Sequence, residues 1–278
     1  MSDRISYWSF RLQSALRWYG RAQTRYDVHS PYLHEFIRQV YRDRRYYHAF
    51  AVIRNIRKAW SKSSDRVNLL ELGAPSRTTR AASRTAASLV AANAIAEREG
   101  RLLFRLVLWL QPERIVEFGT NAGISTLYLH LADTRTPLFT VEGNPEVAAL
   151  ARASFERAGV SARLRADVST FRDWLRHPPF TGRGRTLFFL DGDHRREPTV
   201  AYVRALLPTV TTDSVFVIAD IHWSEDMEAA WEELKGLAEV RASVDTYHFG
   251  LLFFRTEMNG PHVTLTPTRS KPWRVGFF

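Results

Sequence analysis

The chain predicts an α/β fold: a mostly parallel sheet covered by helices on both faces, preceded by a helical N-terminal region. Three observations carry this expectation. From residue 101 onward, short apolar runs at 115–118, 138–141, 186–190 and 215–219 alternate with helical patterns. Apolar runs of that length suit strands buried on both faces, as in parallel sheets. Most of these runs end on an acidic residue, at Glu142, Asp191 and Asp220. The last two strand-like runs, 243–249 and 251–255, are joined too tightly for a helical crossover, so they predict an antiparallel pair at one edge.

The elements follow in order. Tyr7, Trp8, Leu12, Leu16 and Tyr19 recur at helical spacing, with Gly20 as a stop. Ser30-Pro31 opens a second helix, with serine as cap and proline in the first turn, and Leu33, Phe36, Ile37, Val40 and Tyr41 form its face. Residues 81–98 predict an alanine-rich helix ended by Gly100, and RLLFRLVLWL a further one ending near Pro112. Strand 115–118 leads through a glycine turn to a helix at 125–131. Strand 138–141 leads to a helix that starts at Pro145 behind the cap Asn144 and stops at Gly159. A weakly alternating run, 160–166, ends at Asp167, and the helix 169–176 ends in the turn His177-Pro178-Pro179-Phe180.

Composition bounds the function. A chain of 278 residues is one large domain or a domain with an appendage, and its 45% hydrophobic and 24% charged residues are ordinary for a globular protein. The absence of cysteine excludes disulfides, cysteine zinc sites and thiol nucleophiles. No apolar stretch reaches the roughly 18 residues of a membrane span, and no apolar leader opens the chain, so a cytoplasmic protein without membrane contact is expected. The net charge of +10 is local: residues 1–100 hold 18 Lys and Arg against 8 Asp and Glu, whereas residues 101–278 hold 21 of each. The chain therefore divides into a basic helical region, 1–100, and an electrically balanced core, 101–278. The basic part expects an acidic partner or forms a solvated outer surface.

The site residues cluster at strand ends. In open α/β sheets ligands bind beyond the carboxyl ends of the strands. Glu117-Phe118-Gly119-Thr120-Asn121-Ala122-Gly123-Ile124-Ser125 holds a G-x-x-x-G turn there, distinct from the G-x-G-x-x-G of dinucleotide folds. Glu142, at the end of the next strand, can accept both hydroxyls of a ribose, and Asp167 ends the third strand. Asp191, Asp193, His194, Asp220 and His222 form a second constellation, whose oxygen donors suit Mg²⁺ or Mn²⁺.

Residues 113–256 resemble the class I S-adenosylmethionine-dependent methyltransferases. EFGTNAGISTLYL is similar to the E-[IL]-G-[TA]-x-x-G-x-S loop of the metal-dependent O-methyltransferases. Val28-His29-Ser30-Pro31, Asp191-Gly192-Asp193-His194 and Asp220-Ile221-His222-Trp223-Ser224 resemble segments of a bacterial class I group of unassigned substrate. The resemblance implies a Rossmann-like seven-stranded sheet of order 3-2-1-4-5-7-6, with the last pair antiparallel. It implies S-adenosylmethionine as cofactor: Glu117, Gly119, Thr120 and Gly123 at its methionine end, Glu142 at the ribose, Asp167 and Val168 at the adenine, and Asp191 nearby. It implies catalytic roles for Asp191 and His194, with His194 placed as general base, and a divalent metal on Asp191 and Asp220. Ile221 stands where that family carries a further oxygen ligand; His222 is the candidate replacement and a further catalytic candidate.

The expected activity is methylation of an oxygen on a small-molecule or glycan-like acceptor. Two alternatives remain open: a nucleic-acid methyltransferase, drawing on the arginines and aromatics of residues 41–48, or a cofactor-binding protein without turnover. An amphipathic helix with Phe36, Val40 and Tyr47 inward is the other reading of that segment. Glu71-Leu72-Gly73-Ala74-Pro75-Ser76 resembles a second glycine loop, but no acid-ended strand follows it, so residues 69–80 read as a loop or cover. Oligomeric state is not legible.

Overall fold

The computed structural model describes residues 2–70, 83–160, 162–258 and 260–266. Its centre is a sheet of eight strands: β1 Arg114–Phe118, β2 Leu138–Glu142, β3 Leu164–Val168, β4 Thr186–Leu190, β5 Val215–Ala219, β6 Ala242–Asp245, β7 Phe249–Phe253 and β8 His262–Thr264. Their spatial order is 3-2-1-4-5-7-6-8. Strands β1–β5 run parallel, and β7 lies antiparallel between β5 and β6. The predicted order is therefore present, extended by one strand: β8 pairs parallel with β6. Gln23 bridges to Leu265 just beyond β8, which ties the N-terminal segment to that edge.

Side-chain alternation fills two layers. Ile115, Leu187, Phe189, Val215 and Val217 face helix α5 (Glu97–Leu110) and the α2 segment (Pro31–Phe36), which continues as a π-helical turn, Ile37–Tyr41. Val116, Phe118, Phe188, Phe216 and Ile218 face the opposite layer, with Val203 of α9 (Arg196–Leu206) and Met227 and Trp231 of α10 (Glu225–Lys235). Both faces are covered, which is why the central strands read as continuous apolar runs. A third cluster joins Phe50, Ile53 and Trp60 of α3 (His48–Trp60) to Tyr128 of α6 (Ile124–His130) and Phe155 of α7 (Pro145–Ala158).

Several expectations change. Residues 83–98 are not one helix. Ser83–Thr85 pairs with Arg66–Asn68 in a two-stranded ribbon, Thr85 caps α4 (Ala86–Asn93), and α5 then starts at Glu97. Gly100 does not stop a helix. It lies within α5 against the Tyr128 ring, and the stop is Gln111, in the left-handed region at φ 48°. Residues 42–47 are not helical: the π-turn ends at Tyr41 and α3 begins at His48. Phe249 belongs to β7 rather than to the preceding strand, because a three-residue turn follows Asp245. The Glu71–Ser76 segment lies outside the described residues. The Ser30 cap, whose Oγ accepts from Leu33 N at 3.4 Å, matches the expectation, whereas helix α1 (Ser2–Arg21) forms but runs through Gly20 and leaves Trp8, Leu12 and Leu16 exposed.

Candidate functional site

The carboxyl edge of the sheet gathers the acids. Gly119 has φ 99°, and a methyl group built on it would overlap the carbonyl oxygen of Asp191, so only glycine allows β1 and β4 to close there. Asn121 follows at φ 48°, a conformation that asparagine tolerates better than most residues. Its amide donates to Glu142 Oε2 at 2.9 Å, while Asn144 N donates to Glu142 Oε1 at 3.0 Å. Burial pushes the Glu142 carboxyl above its ordinary range, against the lowering effect of these backbone donors.

A cavity of about 460 Å³ opens between these loops and runs from Glu142 to Asp191, bordered by Gly119, Asn121, Ser169, Thr170 and Phe171. Of the predicted cofactor residues, Gly119, Glu142 and Asp191 line it. Glu117 and Thr120 lie beneath the loop instead. Glu117 is fully buried, and its Oε2 accepts from Thr126 Oγ1 at 2.5 Å and Thr140 Oγ1 at 2.7 Å. Burial pushes Glu117 up to about 7, although three neighbouring hydroxyls oppose the shift. Gly123, at φ 79°, starts α6 and packs on Phe155. Asp167 is turned away from the cavity: it accepts from Trp174 Nε1 at 2.9 Å and pairs with Arg165 at 2.8 Å. Val168 is exposed, so Ser169 and Thr170 border the cavity at the end of β3.

Asp191, His194 and Asp220 converge. His194 Nε2 stands 4.0 Å from Asp191 Oδ1 and 3.9 Å from Asp220 Oδ2, and one ligand atom from each residue lies within 4.8 Å of the others. Burial, followed by the charges of Asp220 and Glu117, holds the Asp191 carboxyl well above its ordinary range, although 24% of its side chain remains accessible from the cavity. The donor chemistry, two carboxylates and an imidazole, fits a divalent cation. Ile221 is fully buried in the α10 layer and offers no ligand. Asp193 also lines the cavity: at φ 53°, it accepts from Tyr202 Oη at 3.1 Å and pairs with Arg195.

His222 does not join this group. Its Nε2 faces Asp245 Oδ2 at 2.9 Å and its Nδ1 faces Glu228 Oε1 at 2.8 Å. Burial opposes its protonation, but the two carboxylates outweigh that and raise its pKa. Helix α1 docks on the same cluster. Trp18 Nε1 donates to Asp245 Oδ1 at 2.9 Å, Arg17 pairs with Glu228 at 2.9 Å, and the Ser14 hydroxyl donates to Glu228. The predicted replacement ligand is thus the anchor of the N-terminal helix. Of residues 41–48, three are held within the fold, whereas Tyr46 stays exposed. Tyr41 Oη donates to the Leu265 carbonyl, Tyr47 packs on Phe50 and Phe104, and Asp43 pairs with Arg45.

Asn121, Thr170 and Phe171 were not legible as site residues. The only available signals were an asparagine inside a glycine turn and a threonine cap, both common in loops without ligands. Phe171 stacks on Phe118 at 4.8 Å, a contact between residues 53 apart in sequence that no local pattern announces.

Residues 116–221 match a family model described as a methyltransferase domain. A catechol O-methyltransferase of Mycobacterium tuberculosis is 31% identical over 129 residues, which cover 46% of this chain and 57% of that protein. The chain thus matches little more than half the length of that relative. Among solved structures, a putative O-methyltransferase from Klebsiella pneumoniae superposes with TM-score 0.54 at 15% identity, covering 80% of this chain and 95% of that one. The O-methyltransferase of tomaymycin synthesis from Streptomyces achromogenes, solved with S-adenosylmethionine, superposes with TM-score 0.53 at 18% identity, covering 76% and 91%. The architecture is the Rossmann-like fold of the class I methyltransferases.

Proposed function

We propose that this chain is an S-adenosylmethionine-dependent O-methyltransferase acting on a small-molecule hydroxyl of the catechol type. The cavity joining Glu142 to Asp191 across the Gly119 turn carries this reading. Glu142, already oriented by two backbone amides, accepts the ribose hydroxyls. Gly119 lets the backbone lie close to the amino-acid end, and Ser169 and Thr170 border the base. When bound, the cofactor supplies an electrophilic methyl group on a sulfonium.

The protein's work is alignment and proton management. With the cofactor bound, His194 Nε2 would take the proton of the acceptor hydroxyl as its oxygen receives the methyl group. Asp191 Oδ1 and Asp220 Oδ2 flank that nitrogen at 4.0 and 3.9 Å. Were a divalent ion resident, Asp191 and Asp220 would hold it, and it would supply Lewis-acid activation of the hydroxyl.

Calorimetric titration with S-adenosylmethionine tests the base of this reading. Binding that Glu142→Ala weakens by at least about tenfold is expected; no binding, or equal binding by the variant, would overturn it. Methylation of catechol that His194→Ala abolishes would exclude a cofactor-binding protein without turnover.

A further inference from the structure

Arg11 differs from those N-terminal arginines that pair with a carboxylate and, like Arg25 over Tyr26, is held against rings. Arg17, on the same helix, pairs with Glu228, and Arg38, Arg45 and Arg54 each pair with a carboxylate. Arg11 instead lies over two rings, with its guanidinium carbon 5.2 Å from the Trp223 centroid and 5.9 Å from that of Tyr247. Among the described residues no carboxylate is in ion-pair range of it.

Both rings belong to the carboxyl edge that holds the reacting groups. Trp223 closes a tight turn on Asp220, its amide donating to the Asp220 carbonyl at 2.8 Å, and Asp220 N donates to the His248 carbonyl at 2.7 Å. The β6–β7 turn with Tyr247 is therefore bonded directly to the residue that faces His194. Each ring is also braced. Tyr7 meets Trp223 edge-on at 5.6 Å; Tyr247 stacks on His222 at 5.2 Å and meets Trp18 at 5.4 Å. Tyr247 holds φ 78°, a costly conformation for a bulky residue, and its amide is fixed by Asp245 Oδ1 at 2.8 Å. The two rings thus hold a planar cation, with no carboxylate in ion-pair range, over the turn that follows Asp220. A guanidinium in this setting keeps its fork of donors for an incoming anion.

We propose that Arg11 is the anion-recognising element of the acceptor subsite, and that the acceptor is a hydroxyaromatic acid whose carboxylate pairs with Arg11 while its ring lies along Trp223 and its hydroxyl reaches His194. This inference rests on the methyltransferase reading above and narrows its substrate class. It also gives one arginine of the basic third a specific role in attracting an acidic acceptor.

The test compares equilibrium binding of 3,4-dihydroxybenzoate and catechol to the full chain loaded with S-adenosylhomocysteine. The wild type should prefer the acid by at least about tenfold. Arg11→Met should bring the ratio near unity, Arg11→Lys should keep part of it, and Arg38→Gln, on the remote surface pair with Glu35, should keep all of it. A wild-type ratio near unity, or an Arg11→Met protein that retains the preference, overturns the inference and leaves the methyltransferase reading intact. A lower melting temperature in Arg11→Met with unchanged discrimination means that the arginine only pins α1, and also overturns it. Failure to load the cofactor product overturns both.

Discussion

The α-carbon of Gly119 lies directly against the main-chain carbonyl of Asp191, with no room for a methyl group between them. This contact joins the glycine turn after β1 to the acid that follows β4, and both line the cavity. Gly119→Ala must therefore either shift β4 or abandon φ 99°. It should cost about 2–3 kcal/mol of stability and at least about 100-fold in S-adenosylmethionine affinity. Urea unfolding and calorimetry on the same preparation check both, and affinity within twofold of wild type would refute the close-approach role.

Glu117 predicts an inverted pH dependence. Its carboxyl titrates at about 7 in the fold against an ordinary value of 4.5, so between those limits the native state holds a proton that the unfolded state has released. Stability from this group is present below pH 4.5 and is lost as pH rises to about 7, by about 3 kcal/mol in all. Glu117→Gln should remove that slope. Chemical denaturation at pH 5 and pH 8 on wild type and variant measures it; parallel slopes in the two proteins would count against it.

His194→Ala should leave cofactor affinity within about twofold and slow methyl transfer by roughly 10²–10⁴-fold, the usual contribution of a positioned base. Single-turnover kinetics with catechol separates chemistry from binding. A loss confined to KM would assign His194 to acceptor binding alone.

His222 governs the N-terminal helix. Although burial opposes its charge, Asp245 and Glu228 raise its folded pKa above 6.5. Its contribution is therefore full below pH 6.5 and lost as pH rises through the folded value. Amide exchange in α1 should accelerate between pH 6 and pH 9 after correction for intrinsic rates. Asp245→Asn should move the transition to lower pH and cost about 1–3 kcal/mol, since it weakens the clamp on both His222 and Trp18. Exchange in α1 independent of pH would exclude the clamp.

Much of this was legible in the chain, for identifiable reasons. Strands such as Thr186–Leu190 announce themselves because both faces are buried, and Asp191 and Asp220 because strand ends place them at one edge. What escaped depends on side-chain partners that no motif announces. His222 reads as a metal or catalytic candidate beside Asp220, yet Asp245 and Glu228 claim both of its nitrogens. Asp167 reads as a base contact, yet Trp174 and Arg165 claim it. β8 is only three residues long, two of them polar, so nothing but its neighbour β6 makes it a strand. The helix expected across residues 81–98 failed because alanine content fixes propensity but not boundaries, and Thr85 supplied a cap that the alanines obscured.

Asn121, Asp193, Asp220 and Tyr247 all hold positive φ without being glycine, and all belong to the loops at the carboxyl edge. Such conformations cost roughly 1–3 kcal/mol each, so this rim works against the stability supplied by the layers below. A search for thermostable variants would therefore be drawn to these four positions, where glycine relieves the backbone. Each gain would come at the residues that aim the acids and rings, so hardening the protein at its rim would blunt it. Robust variants that stay active should instead carry their changes in the helices on the two faces of the sheet.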